Sequence, residues 1–494
     1  MEVRVRYAPS PTGLQHIGGV RTALFNYFFA RSQGGRFILR VEDTDRERFH
    51  EEALKDLYDT LAWLGIDWDE GPEKGGPYGP YVQSERFDIY RKYADKLLES
   101  GHAYRCFCTP ERLDALREEQ KKDKKKSIGY DRHCRNLSRE EIDANMAAGK
   151  PYVVRFKVPL EGKTSFEDVL LGKVTRKNKD ISPDPVLLKT DGFPTYHLAN
   201  VVDDHLMKIS HILRAQEWIP SGALHVLLYG AFGWTPPVYC HLPMVMGKDG
   251  QKLSKRHGST SVIEFRNKGY LPEAIINYVS LLGWSYDDKR EFFTKEELEK
   301  LFSIEKINKA PGVFDYKKLE WFNGQYIRKK PLDELTEMVI PYLVKDGLVS
   351  DPPSGKEREI IDSMMPLMAE RLHFLSDITS LSRFLFTDDL DYEASALIPK
   401  KMDVPGTLRV LKAIRERIGD ILSKDEAEAE EIFRAMASEL DVKLGSVLMP
   451  LRVAVTGSTV SPPIIGSVKL LGEEKTVKRI DDAIEKLERE VDNG

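Results

Sequence analysis

The chain opens Glu2-Val3-Arg4-Val5-Arg6-Tyr7, continues Ala8-Pro9-Ser10-Pro11-Thr12-Gly13, and then reads His16-Ile17-Gly18-Gly19. The reading of this stretch decides the fold. Residues 2–7 alternate with period two, as a strand does. The Pro and Gly residues of 8–13 break regular structure. From Ile17 the apolar residues Val20, Leu24 and Phe28 return at helical spacing. Gly34-Gly35 ends that helix, and Arg36 to Val41 reads as a second strand. Strand, loop, helix, strand is the βαβ unit of a doubly wound parallel sheet.

Working outward, helices are expected at about 51–64 and over 84–99, where Phe87, Tyr90, Ala94 and Leu97 share a face. The stretch 104–190 differs in character. It holds three of the four cysteines, the lysines Lys121, Lys122, Lys124, Lys125 and Lys126, and strand-like pieces such as 152–158. It reads as an α+β insertion. Signals of the first kind return at 186–234 and 238–246. Beyond about 260 the chain is mostly helical, with Leu408, Leu411, Ile414, Ile418 and Leu422 at helical spacing. The fold class is therefore α/β: a Rossmann-like doubly wound parallel sheet with an inserted α+β domain, followed by α-helical C-terminal domains.

At 494 residues the chain is too long for one core. A balance of 41% hydrophobic and 31% charged residues is that of a globular protein. No apolar run is long enough to span a bilayer or form a secretory leader, so a cytoplasmic protein without a membrane partner is expected. Net charge is 74 − 79 = −5, which excludes a general nucleic-acid coat but not local basic surfaces such as Arg328-Lys329-Lys330. Four cysteines do not make a disulfide framework.

His16 follows a strand and precedes a helix, where open α/β sheets bind ligands. The helix N-terminus suits phosphate, and Gly18 and Gly19 permit close approach. Gly250-Gln251-Lys252-Leu253-Ser254-Lys255-Arg256-His257-Gly258 is a glycine-flanked basic loop whose lysines, three apart, can meet a polyphosphate. Between the two lie Arg40-Val41-Glu42-Asp43-Thr44-Asp45, the polar run from Thr195 to His205, and Arg214-Ala215-Gln216-Glu217-Trp218.

This composite closely resembles glutamyl-tRNA synthetases of the bacterial type, class I synthetases marked by an HIGH motif and a KMSKS loop. Gly19 stands where the second histidine would be, which is usual for the glutamyl group. The resemblance implies a ligase that activates L-glutamate with magnesium-bound ATP and loads it onto tRNA(Glu), working as a monomer. His16 and Lys255 would be catalytic. Pro9, Ser10, His16, Gly18, Gly19, Glu217, Lys252, Leu253, Ser254, Lys255 and Arg256 would bind ATP. Arg6, Ala8, Ser10, Glu42, Tyr196, Asn200 and Arg214 would surround glutamate. Arg6 and Arg214 can grip its side-chain carboxylate, and Glu42 can face its ammonium.

The implied division is 1–105 and 191–250 for the two halves of the catalytic domain and 106–190 for an acceptor-stem-binding insert. Residues 251–330 would form a stem-contact domain carrying the basic loop, and 331–385 and 386–494 two helical anticodon-binding domains. Arg371 matches an arginine that reads the third anticodon base. Cys106, Cys108 and Cys134 give three thiols, and structural zinc wants four ligands. Relatives supply a histidine two residues past the third cysteine, where this chain has Asn136. Tyr130 is the favoured fourth ligand, His133 the alternative, and three inert buried thiols the reading without metal. The alternatives on function are an enzyme that also charges tRNA(Gln), a nucleotidylyltransferase, and a non-catalytic tRNA-binding protein.

Overall fold

The computed structural model describes residues 2–45, 48–122 and 129–493. Lys124, Lys125 and Lys126 lie outside the described residues. The chain forms two compact units, 1–266 with 272–316, and 267–271 with 317–494.

In the first unit β1 (Arg4–Tyr7) and β2 (Arg36–Leu39) pair in parallel, Arg4 opposite Arg36. Helix α1 (Ile17–Ser32) crosses between them, completing the βαβ unit the sequence predicts. The expected one-sided stripe on α1 is exceeded: Ile17, Leu24, Phe25, Phe28 and Ala30 are all fully buried. Phe25 and Phe28 pack on Phe302, just past the helix Lys295–Leu301, so α1 is covered on the side away from the sheet. A helix covered all round is apolar all round.

Helix α2 (Glu51–Trp63) falls where expected, and α3 (Phe87–Glu99) starts three residues later than the 84 read from the sequence, because Gln83–Glu85 forms a separate tight turn. Strand β3 (Ala103–Cys106) pairs antiparallel with β4 (Val153–Phe156), which spans less than the 152–158 read from the sequence. Two short helices, α4 (Pro110–Lys122) and α5 (Arg139–Ala147), lie between them and bury no residue. The hairpin β5 (Lys163–Asp168) and β6 (Gly172–Lys177), counted above with the insert, joins the main sheet. Asp168 of β5 stands opposite Tyr239, in the strand Val238–Leu242. Strand β7 (Val186–Leu188) completes the β3–β4 sheet.

Helix α6 (Tyr196–Leu206) leads into β8 (His211–Ala215), helix α7 (Ile219–Ala231) and β9 (Val238–Leu242). Strands β8 and β9 are parallel, with Leu213 opposite Cys240. Ser210 N donates to Arg4 O (2.9 Å) and Arg4 N donates to Ser210 Oγ (2.8 Å), which seats β8 beside β1. The carboxyl ends of β1, β2, β8 and β9 thus open on one edge, where ligands bind in such sheets.

The second unit is helical beyond 331. Its helices include Leu332–Lys345, Gly355–Met368, Val404–Ser423, Leu444–Thr456 and Glu473–Asn493. On Val404–Ser423 the buried stripe is Val410, Leu411, Ile414, Ile418 and Ile421, while Leu408 and Leu422 are half-buried. The stripe turns slightly because 3.6 residues per turn do not hold one line over five turns. Among the described residues no helix is long and apolar enough to cross a membrane.

Candidate active site

His16 is the N-cap of α1. Its Nδ1 accepts the Gly19 N–H at 3.3 Å, so the neutral ring carries its proton on Nε2. Burial, then the charge of Lys252, holds its basicity below the usual histidine value. The two motifs meet through the backbone. Ile17 N donates to Thr260 O (3.0 Å) and Val262 N donates to Gln15 O (2.9 Å). The chain just past the basic loop is thereby tied to the entry of α1.

The loop itself is a short bridge, Met246 opposite Lys252, closed by Gly250 at φ +72°. Ser254 caps the turn Lys255–His257, and His257 Nε2 lies 3.0 Å from Asp249 Oδ1. Lys252 does not stand open for a polyphosphate, as the sequence alone suggests: it pairs with Glu217. Among the described residues no carboxylate pairs with Lys255.

Three cavities adjoin here. The first, about 630 Å³, is lined by His16, Gly18, Gly19, Glu217, Lys252, Leu253, Ser254 and Lys255 among others. The expected nucleotide residues Pro9 and Arg256 do not line it, and Ser10 lines the third. The second, about 160 Å³, gathers Arg6, Ala8, Glu42, Tyr196, Asn200 and Arg214, six of the seven residues expected around an amino acid. Ser10, the seventh, lines the third cavity of about 720 Å³ with Ala8, Glu42 and Tyr196. Trp218 borders all three.

The arginines are not equivalent. Arg6 does not present a whole open fork: its Nε and Nη2 donate to the two oxygens of Asp204 at 3.0 and 3.2 Å. Arg40 donates to Asp204 (2.7 Å) and to Glu42 (2.8 Å), so Glu42 already holds one cation. Burial raises the Glu42 pKa against the pull of Arg40. Arg214 is 5% exposed and its partners are neutral. Nε donates to His241 Nε2 (3.1 Å), Nη1 to Tyr196 Oη (3.1 Å) and Nη2 to Trp218 O (3.3 Å). Among the described residues no carboxylate pairs with it. Asn200 Oδ1, also buried, has no partner there.

Asp203, Asp204, Arg40, Asp168 and His241 were not singled out from the sequence as site residues. The signal available was polarity in the wrong place, since Asp203 and Asp204 lie on the buried face of α6 and His241 lies in the buried strand β9.

In the insert, Cys106, Cys108 and Cys134 place their sulfurs within 4.8 Å of one another. Tyr130 Oη is 3.2 Å from Cys106 Sγ and 3.6 Å from Cys108 Sγ. The hydrogen bond from Cys134, opposed by burial and aided by Tyr130, draws the Cys106 thiol well below its usual value. Cys134 is pushed up by the same bond, and Tyr130 by burial. Three soft donors and one phenol oxygen fit a tetrahedral zinc. His133 is not among the described residues that cluster there. In the second unit, Arg371 is exposed at the end of the turn Ala369–Arg371, close enough to Arg452 to disfavour its charge further after burial.

Comparison with known proteins agrees with this geometry. Residues 2–321 match the catalytic domain of tRNA synthetases class I (E and Q), and residues 334–484 match an anticodon binding domain. A glutamate–tRNA ligase of Treponema denticola is 58% identical over 98% of this chain and 99% of its own. One of Borrelia recurrentis is 57% identical over 98% and 95%. The crystal structure of a glutamate tRNA ligase from Elizabethkingia meningosepticum, in complex with its amino acid, superposes with a TM-score of 0.85 at 38% identity. That match covers 99% of this chain and 100% of the other. The chain belongs to the class I tRNA synthetases of the glutamate and glutamine group.

Proposed function

We propose that the chain is a glutamate–tRNA ligase that converts L-glutamate and ATP to glutamyl-adenylate and pyrophosphate, then passes glutamate to the terminal ribose of tRNA(Glu). The observation that carries this is Arg214: a buried guanidinium with neutral partners, on the wall of a cavity of about 160 Å³. Leaving a buried charge without a counterion is costly unless a ligand supplies one. The side-chain carboxylate of glutamate is that counterion. Glu42 and the unpartnered Asn200 oxygen are acceptors for its ammonium.

The reaction needs no enzyme nucleophile. A substrate α-carboxylate oxygen attacks the α-phosphorus of ATP, and the bond to the pyrophosphate oxygen breaks. The chain positions the reactants and stabilises charge on the phosphates. His16 donates its Nε2–H to a phosphoryl oxygen, and its reduced basicity keeps it a neutral donor at neutral pH. The N-terminus of α1 adds partial positive charge. Lys255 reaches the triphosphate, and Lys252 joins it when phosphate displaces Glu217. Magnesium bound to ATP supplies further charge neutralisation. Among the described residues the carboxylates lining the cavity are Glu217 and Glu264, a sparse set that suits an ion arriving with the nucleotide.

Arg371 is assigned to the anticodon, where a guanidinium can contact a guanine edge or stack on a base. Zinc held by Cys106, Cys108, Tyr130 and Cys134 is assigned a structural role. The test of the reading is ATP–pyrophosphate exchange with glutamate, with and without tRNA, and charging of separate glutamate and glutamine tRNAs. Glutamate-dependent exchange and charging of tRNA(Glu) are expected, and Arg371→Ala is expected to narrow the preference over tRNA(Gln). No exchange under either condition overturns it.

A further inference from the structure

Arg214 has a negative partner one residue removed. Asp168, at the end of β5, is fully buried against His241. Its Oδ2 accepts from the His241 backbone N–H (3.0 Å) and lies 2.7 Å from His241 Nδ1. Its Oδ1 accepts from the N–H groups of Leu170 and Leu171, both at 3.0 Å. A carboxylate supplied with four donors stays ionised: burial raises its pKa, but His241 and the backbone donors outweigh burial. An ionised carboxylate only accepts, so the His241 proton sits on Nδ1. The Nε2 lone pair then faces Arg214 Nε–H at 3.1 Å.

We propose that Asp168 and His241 are positioning residues for the substrate carboxylate, a neutral relay that orients Arg214 without neutralising it. The contrast lies at Arg6, which lines the same cavity. Asp204 meets Arg6 and Arg40 directly and takes up their charge. A carboxylate placed likewise on Arg214 would compete with the substrate for the guanidinium. Set one imidazole back, the charge of Asp168 offsets part of the cost of burying Arg214 and fixes the ring tautomer. Arg214 Nη1 then meets only neutral groups, Tyr196 Oη (3.1 Å) and His225 Nδ1 (3.4 Å), which an incoming carboxylate can outcompete. Selectivity for an anionic side chain then depends on the acceptor at position 241 being neutral. The inference rests on the reading of Arg214 as the group that meets that carboxylate.

The test compares two variants of one shape. His241→Gln sets a neutral amide oxygen where Nε2 stands, and His241→Glu sets a carboxylate there. ATP–pyrophosphate exchange in the presence of tRNA gives KM for glutamate and for ATP. His241→Gln is expected to keep most of the affinity for glutamate. His241→Glu is expected to raise KM for glutamate about 100-fold with KM for ATP unmoved. Asp168→Asn, which frees the ring tautomer, is expected to raise it about tenfold. Equal KM for glutamate in His241→Gln and His241→Glu, or a rise shared by both substrates, overturns the relay. If His241→Glu does not fold, an unchanged KM in Asp168→Asn overturns it instead. Arg214→Ala separates the two readings. If it leaves KM for glutamate unmoved, the assignment of the cavity fails. If it raises KM while the position 241 variants agree, only the relay fails.

Discussion

The hydroxyl of Tyr7 stands where a side chain at Gly19 would begin: a Cβ built on Gly19 lies 2.9 Å from Tyr7 Oη. Tyr7 is buried, and its hydroxyl donates to Gln15 Oε1 at 2.7 Å, so it cannot swing aside. This is the physical reason the first motif ends in glycine here rather than in a second histidine. Gly19→Ala is therefore expected to destabilise the chain by about 1–3 kcal/mol and to lower exchange activity. Tyr7→Phe in the same chain, which removes the obstructing oxygen, is expected to return part of both. Thermal unfolding of the single and double variants decides it, and additive losses would count against the clash.

Asp204 holds two buried cations at once, Arg6 and Arg40. Asp204→Asn leaves both guanidiniums short of negative charge in a site where all three side chains are almost wholly buried. A loss of about 3–5 kcal/mol is expected in denaturant unfolding. Arg36→Ala breaks solvent-accessible pairings with Glu2 and Asp69 and serves as the control, with a loss of at most about 1 kcal/mol.

The buried histidines set a pH dependence. Burial, then the charge of Arg214, lowers the pKa of His197 from 6.5 to about 4. His225, 3.1 Å from it, is shifted in the same direction. Above about pH 6.5 neither the folded nor the unfolded chain protonates His197, and it contributes nothing to pH dependence. As pH falls from there towards about 4, the unfolded chain binds a proton that the folded chain refuses. Stability should fall across that window by at most about 3 kcal/mol from this group. Melting temperatures followed from about pH 8 to about pH 4 should decline less steeply in His197→Gln than in the natural chain. Parallel curves would assign the acid sensitivity elsewhere.

Much of this was legible in the sequence because the informative patterns are local. The strand, the Pro/Gly break and the helix from Ile17 each depend on neighbours within a few residues and each forms, although the strand is shorter than the run read over 2–7, covering Arg4–Tyr7 with all four residues buried. The composition of the cavity of about 160 Å³ came through residue-by-residue resemblance, and six of the seven residues expected around an amino acid line it. What stayed hidden is pairing at long range. Arg40 meets Asp204 across 164 positions, and His241 meets Asp168 across 73. No periodicity reports such a partner. Lys252 shows the converse: its motif announces phosphate, but nothing local shows that Glu217, 35 positions earlier, holds it in the free chain.

The cysteine cluster yields the last expectation. Cys108 Sγ and Cys134 Sγ are 3.5 Å apart, and Tyr130 Oη sits within hydrogen-bonding reach of Cys106 and Cys108. Metal analysis of the purified chain is expected to find about one zinc, and Cys108→Ala to lose most of it. Equal and negligible zinc in both would remove the site. The fourth ligand is a separate question. Tyr130→Phe keeps the ring under the Arg155 guanidinium, 3.8 Å from its centroid, and removes only the oxygen. If the phenol is a ligand, that variant should surrender zinc to a chelator about tenfold faster, while His133→Ala releases it at the natural rate. The opposite pattern would make His133 the ligand and Tyr130 a packing residue. That outcome would require the loop at 131–133 to turn, because His133 now lies outside the cluster with its backbone N–H on Asp131.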